Sequence, residues 1–222
     1  MVLTFYGFDN PCGSTAVVAT ILTEKEIPYE FVPISLRDME HKSEAFLEIQ
    51  PFGQVPYIDD DGFILYESVA ICRYLLEKYP EKGVQGLLPA AEDIKAKAIF
   101  EQAASVQINH FHTHAYMINL EAVYKPLSPS QVFATYTEAD DSLTGSEYGI
   151  PVDEHALTKA KLSFAATLGA YEKILGKQKY LAGDRVTLVD LLHLGFGTLM
   201  AEAGVDMVAQ RPNVKRCVYL TR

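Results

Sequence analysis

Every strand-like segment of this chain lies before residue 67, and beyond residue 90 only helical patterns remain. That switch decides the architecture. A strand needs neighbouring strands to satisfy its backbone, so a sheet must assemble within the first 80 residues. The remainder must bury its apolar faces by packing helix on helix. Residues 82–90 (KGVQGLLPA), rich in Gly and Pro, mark the join. The expected organisation is an α/β domain over residues 1–81, a linker over 82–90 and an all-helical bundle domain over 91–222.

Within the first domain the order reads β-α-β-α-β-β-α. Residues 2–6 (VLTFY), ended by Gly7, are β-branched and aromatic and predict a strand. Val18, Ile21 and Leu22 follow i, i+3, i+4 spacing and predict a helix over 14–24. Residues 29–34 (YEFVPI) predict a second strand, with Pro33 confining it to an edge or a strand end. Ser43 predicts the cap of a short helix over 43–49. Residues 55–58 and 63–65 predict a hairpin about the turn DDDG. Ile71, Tyr74 and Leu75 give the face of a helix that stops before Pro80. In the second domain, residues 92–124 carry one long helical pattern, and Leu157, Phe164, Leu168, Tyr171 and Leu175 mark another. Leu188, Leu191, Leu192 and Leu199 predict a third, buried helix that opens on a Thr187/Asp190 capping box. Residues 125–152, with three prolines and two glycines, read as a long loop, either a lid or a surface insertion.

Composition narrows the function. With 49% hydrophobic and 22% charged residues the chain folds rather than stays disordered. No apolar run reaches the ~18–20 residues of a bilayer span. The start MVLTFYGFDNPCG lacks the basic and then apolar layout of a secretory signal, so a cytoplasmic location is expected. A net charge of −10 argues against a general nucleic-acid binder and leaves room for a local basic pocket that takes an anionic metabolite. Cys12, Cys72 and Cys217 are too few and too scattered for a disulfide framework. His110, His112 and His114 alternate, which spreads them around a helix, so no metal site is expected.

Three short segments carry chemistry. In residues 51–56 (PFGQVP), the Val55–Pro56 bond entering a strand is either a cis peptide, turning the Val55 backbone outward, or an ordinary strand-initial proline. Turned outward, that backbone would pair with an extended peptide as an added strand does. Ser68 stands where a helix begins, with exposed N–H groups suited to a carboxylate, and Glu67 beside it suits an ammonium group. Read alone, Ser68 is a plain cap. His41 and Lys42 offer cationic groups for a second carboxylate, or a solvated surface. Together they describe a pocket for a zwitterionic peptide.

These segments carry a resemblance. DMEHK at residues 38–42, PFGQVP at 51–56, YESVAI at 66–71 with Arg73 and Tyr74, and AGDRVTLVDLLH at 182–193 are similar to soluble glutathione transferases. The phi class and its fungal relatives resemble the chain most. The resemblance implies a thioredoxin-like N-terminal domain, a helical second domain and a homodimer. It implies glutathione as co-substrate, no metal, and a small hydrophobic electrophile as second substrate. It places Gln54, Val55 and Pro56 on the glutathione backbone, Glu67 and Ser68 on its γ-glutamyl end, and His41 and Lys42 on its glycyl carboxylate. Phe8, Phe111, Ala115 and Tyr116 would line the electrophile pocket.

The catalytic position departs from the family pattern. A thiol of pKa near ~8.5 is mostly protonated at neutral pH, and a donor at the start of the first helix favours its thiolate. Phi-like enzymes use a serine in S-T-x-T-x-x-V, whereas this chain reads NPCGSTAVV at residues 10–18. Matching letters selects Ser14. Counting back without a gap from VATILTEKE selects Cys12, because a two-residue deletion would rotate the helix face by about 200°. Ser14 implies conjugation to electrophiles. Cys12 also admits a mixed disulfide with glutathione, as in thiol-transferase relatives. Tyr6 reads as structural. A non-catalytic binder of hydrophobic ligands, or a regulatory protein on the same scaffold, is the third alternative.

Overall fold

The computed structural model of the chain describes residues 2–9, 12–127 and 151–220. They form two compact units, Met1–Leu88 and Pro89–Arg222. Most of the segment read as a long loop lies outside the described residues. Among those described, no helix is long and apolar enough to cross a membrane.

The first unit runs β1 (Leu3–Phe8), α1 (Gly13–Glu24), β2 (Tyr29–Ile34), α2 (Glu44–Ile49), β3 (Tyr57–Asp60), β4 (Phe63–Tyr66) and α3 (Ser68–Lys78), the order expected. The sheet order is β2-β1-β3-β4, with β1 parallel to β2 and antiparallel to β3, and β3 antiparallel to β4. β2 is an edge strand, where Pro33 removes no needed ladder bond. The β3–β4 turn takes positive φ at both Asp61 and Gly62, and the Asp59 carboxylate accepts the Gly62 N–H at 2.7 Å.

Strand alternation separates two layers. Leu3, Phe5 and Ile58 are buried, as are Val18, Ile21, Ile71 and Leu75 of the mutually packed helices α1 and α3. On alternate positions, Tyr6 stacks on Tyr57 at 4.2 Å between ring centroids, and Ile34, Phe46 of α2 and Tyr57 form a second cluster. Tyr6 is half-buried, with its ring packed on Tyr57. The stretch after α3 is fastened rather than loose: Lys25, 2% exposed, donates to the carbonyls of Pro80 and Val84, and the Val84 N–H donates to Glu24.

The second unit contains α4 (Ile94–Val106), α5 (Thr113–Asn119), α6 (Lys125–Leu127), α7 (Glu154–Leu175), α8 (Leu188–Leu191), α9 (Leu194–Gly197) and α10 (Pro212–Leu220). Its core joins Phe111, Ala115 and Ile118 to Phe164, Leu168, Tyr171, Phe196 and Val214. Two expectations change here. The long helix from residue 94 is continuous but carries π-helical turns at Gln107–His112 and Leu120–Tyr124. Tertiary partners serve the first of these: the Thr167 hydroxyl donates to the His110 carbonyl, and the Gln107 amide, itself buried, donates to the Leu192 carbonyl.

The third helix is not one helix. It breaks into α8 and α9 because the His193 N–H bonds three residues back to Asp190, tightening the turn. Gly195 and Gly197 then lower helix propensity. The capping box itself is present, with the Asp190 carboxylate accepting the Thr187 N–H at 2.8 Å and the Thr187 hydroxyl at 3.0 Å.

Candidate glutathione site

The β register brings the chemistry-bearing segments to one end of the sheet. Phe8 is opposite Ile34, Tyr6 opposite Tyr57, and Tyr57 opposite Tyr66. The residues that follow β1 (Cys12, Ser14), follow β2 (His41, Lys42), precede β3 (Gln54, Val55) and follow β4 (Glu67, Ser68) therefore leave from the same edge of the unit. Backbone conformations rare for L-residues gather there, at Met39 (φ 58°) and Glu67 (φ 71°). Such strain persists only where the surroundings fix it.

Cys12 is the N-cap of α1, extended and half-buried, and Gly13 is the first helical residue. Ser14 is the second. The helix start is fastened to β1 because the Thr15 hydroxyl accepts the Phe8 N–H at 3.1 Å. Of the three cysteines, Cys72 and Cys217 are buried and Cys12 is not.

The Val55–Pro56 bond is cis. Neither the N–H nor the C=O of Val55 has a hydrogen-bond partner among the described residues, although β3 begins only two residues later. Gln54 is exposed and Pro56 buried. The loop is held from behind, where sequence reasoning saw nothing. Gln50, 2% exposed, accepts the Gly53 N–H on its carbonyl at 2.9 Å and the Gln54 N–H on its side chain at 3.3 Å. Glu67 is exposed at the N-cap of α3, and Ser68 opens the helix with its unpaired first-turn N–H groups.

His41 and Lys42 need correction as a pair of exposed cations. His41 is 1% exposed, its Nδ1 has no partner, and burial, with the neighbouring Lys42 charge, pushes its pKa down to about 4. The ring is neutral at pH 7. Lys42 donates to the carbonyls of Phe52 and Gly53 at 3.2 and 2.9 Å, so part of its work is to fix the loop before Val55. In the second unit, His193 is likewise held at about 4 by burial. Both rings protonate near pH 6.5 once unfolded, so between pH 6.5 and 4 the unfolded chain binds more protons. Stability is full above that window and falls on acidification through it. Melting temperatures between pH 7 and 5 should decline, with a shallower slope in His41→Gln; an identical slope in that variant would contradict the buried neutral ring.

The residues expected to line an electrophile pocket divide. Phe111 and Ala115, 2% and 0% exposed, belong to the helical core, whereas Phe8 and Tyr116 are half-buried. His112 packs edge-on against Phe196. Among the described residues, no three His, Cys, Asp or Glu side chains cluster to hold a metal ion.

Comparison with known proteins matches this geometry. The N-terminal domain model of glutathione S-transferases matches residues 10–83, and the C-terminal domain model of the same family matches residues 131–218. Glutathione S-transferase hmp2 of the fungus Hypomyces subiculosus is 37% identical over 97% of this chain and 91% of its own length. The chain belongs to the glutathione S-transferase family. Among solved structures, a serine-to-cysteine variant of poplar glutathione transferase F1 superposes with a TM-score of 0.80 at 31% identity, covering 98% of this chain and 90% of the other. Maize glutathione S-transferase I, solved with an atrazine–glutathione conjugate, gives a TM-score of 0.76 at 27% identity, over 99% and 91%. The resemblance to the phi class is thus shared by fungal and plant relatives.

Proposed function

We propose that the chain conjugates reduced glutathione to small hydrophobic electrophiles, stabilising the glutathione thiolate at the start of α1. The observation that carries this reading is the convergence of four loops at one sheet end, with the Val55 backbone unpaired between them. In this reading Val55 and Gln54 take the tripeptide backbone, Glu67 and Ser68 its γ-glutamyl end, and Lys42 its glycyl carboxylate. His41, being neutral, would serve only as a hydrogen-bonding ring. The protein supplies proximity and thiolate stabilisation rather than a covalent intermediate.

Kinetics test the pocket. Glu67→Ala and Ser68→Ala should each raise the glutathione KM about tenfold or more, since hydrogen bonds to charged groups are worth roughly 1.5–3 kcal/mol. Unchanged KM in both variants would refute the assignment.

A second reading rests on Cys12 being the N-cap, where a helix terminus favours a thiolate. There Cys12 attacks one sulfur of oxidised glutathione, the new S–S bond forms as the old one breaks, and glutathione thiolate leaves. We further propose a homodimer, supported by Phe52 and Phe63, which stand 63% and 49% exposed. Light scattering at micromolar concentration should give twice the chain mass, and a monomer mass would exclude it. A cytoplasmic location accords with a chain whose three cysteines form no disulfide.

A further inference from the structure

We infer that the helical unit holds a second, apolar site, partly open to solvent, that takes one compact apolar molecule. A pocket of about 80 Å³, open to solvent on the side where Thr198 is exposed, lies among Phe111, Tyr171, His193, Gly197, Met207 and Cys217, and its whole lining belongs to the second unit. Phe111 and Tyr171 lie parallel with ring centroids 6.2 Å apart, and Phe111 meets the His193 ring edge-on at 4.4 Å, so the wall is largely aromatic.

The titratable groups in that wall are already satisfied. His193 Nδ1 lies 2.7 Å from the Val189 carbonyl, which can only accept, so this nitrogen carries the proton. Nε2 is then the acceptor for the Tyr171 hydroxyl at 3.0 Å. The Asp190 carboxylate is taken up by the Thr187 N–H, the Thr187 hydroxyl and the Leu181 N–H. An ordered water needs two to four polar partners, whereas the ring offers none and the carboxylate at most one more acceptor site. A wall with so few free polar partners favours an apolar guest over ordered water.

Gly197 keeps the space open. A Cβ placed there would meet Phe111 Cζ at 3.6 Å and Met207 Cε at 3.8 Å, ordinary contact distances, so a methyl group fits. A close-packed core leaves no such vacancy, and a helical glycine is intrinsically less stable than alanine. The volume is roughly half that of the ~150 Å³ cavity known to admit benzene or xenon. The ligand class is therefore a molecule of a few heavy atoms, a halomethane or short hydrocarbon, with xenon as its probe.

Melting of the full chain under rising xenon pressure tests this, with nitrogen at equal pressure as control. Wild type should gain about 1 °C or more once xenon reaches its dissociation constant. Gly197→Ala should melt higher than wild type without xenon and lose most of the xenon response. Val214→Leu, filling the cavity from α10, supplies the comparison if Gly197→Ala folds poorly. A xenon-pressurised crystal should show the atom between Phe111 and Met207. No response in wild type, or an equal response in wild type and both filled variants, would overturn the inference.

Discussion

Replacing Gly53 with alanine is expected to lower the melting temperature by about 5–10 °C. Gly53 holds φ at +57°, a left-handed conformation that costs an L-residue roughly 1–2 kcal/mol. Sterics add to this, because the new Cβ would lie 2.7 Å from the His41 carbonyl oxygen and 2.9 Å from Lys42 Cδ. A backbone oxygen cannot step aside as a flexible side chain can. A combined loss of about 2–4 kcal/mol corresponds to the stated shift at roughly 2–4 °C per kcal/mol. The effect should extend to binding. Moving the loop away from His41 breaks the Lys42 bonds to Phe52 and Gly53 and displaces Gln54 and Val55. The glutathione KM of any folded Gly53→Ala protein should therefore rise. Differential scanning fluorimetry with steady-state kinetics measures both, and a variant that melts within 1 °C of wild type would show that the loop is not held as described.

The second large effect concerns Cys12. Changing it to alanine should cut kcat/KM about 100-fold or more while leaving the glutathione KM nearly unchanged, the signature of a group that acts on developing thiolate charge. Ser14→Ala should stay within about threefold of wild type, because Ser14 sits two positions further into α1 and Cys12 caps it. Mass spectrometry after incubation with oxidised glutathione should find the adduct on Cys12 and none in Cys12→Ser. The reverse kinetic pattern, loss on Ser14→Ala and none on Cys12→Ala, would transfer the role to the serine.

Much of this site was readable in the sequence because it is built from turn chemistry and chain order. PFGQVP, the Glu67–Ser68 step before a helix and the β-α-β-α-β-β-α order are local signals, and the structure places each where its spacing implies. Gly53 carried an unused one: a glycine between Phe52 and Gln54 in a tight loop suggests a positive φ. His41 misled because its exposure is not local. Eight of the ten residues in 35–44 are polar or charged in a way that suggests surface, yet the ring is 1% exposed.

Residue type, apolar period and turn composition determined on their own that a small mixed sheet would be followed by a helical unit, and which loops would carry polar groups for a peptide. Tertiary structure alone decided what each group is left to do. Lys42 is engaged by carbonyls ten and eleven residues away, Gln107 and Asn119 by carbonyls more than seventy away. Phe111 became core, and α8 was cut short of Leu199. The physical reason is the same throughout: spacing along a chain reports its local geometry, whereas desolvation and hydrogen-bond pairing depend on which distant residues the fold brings alongside.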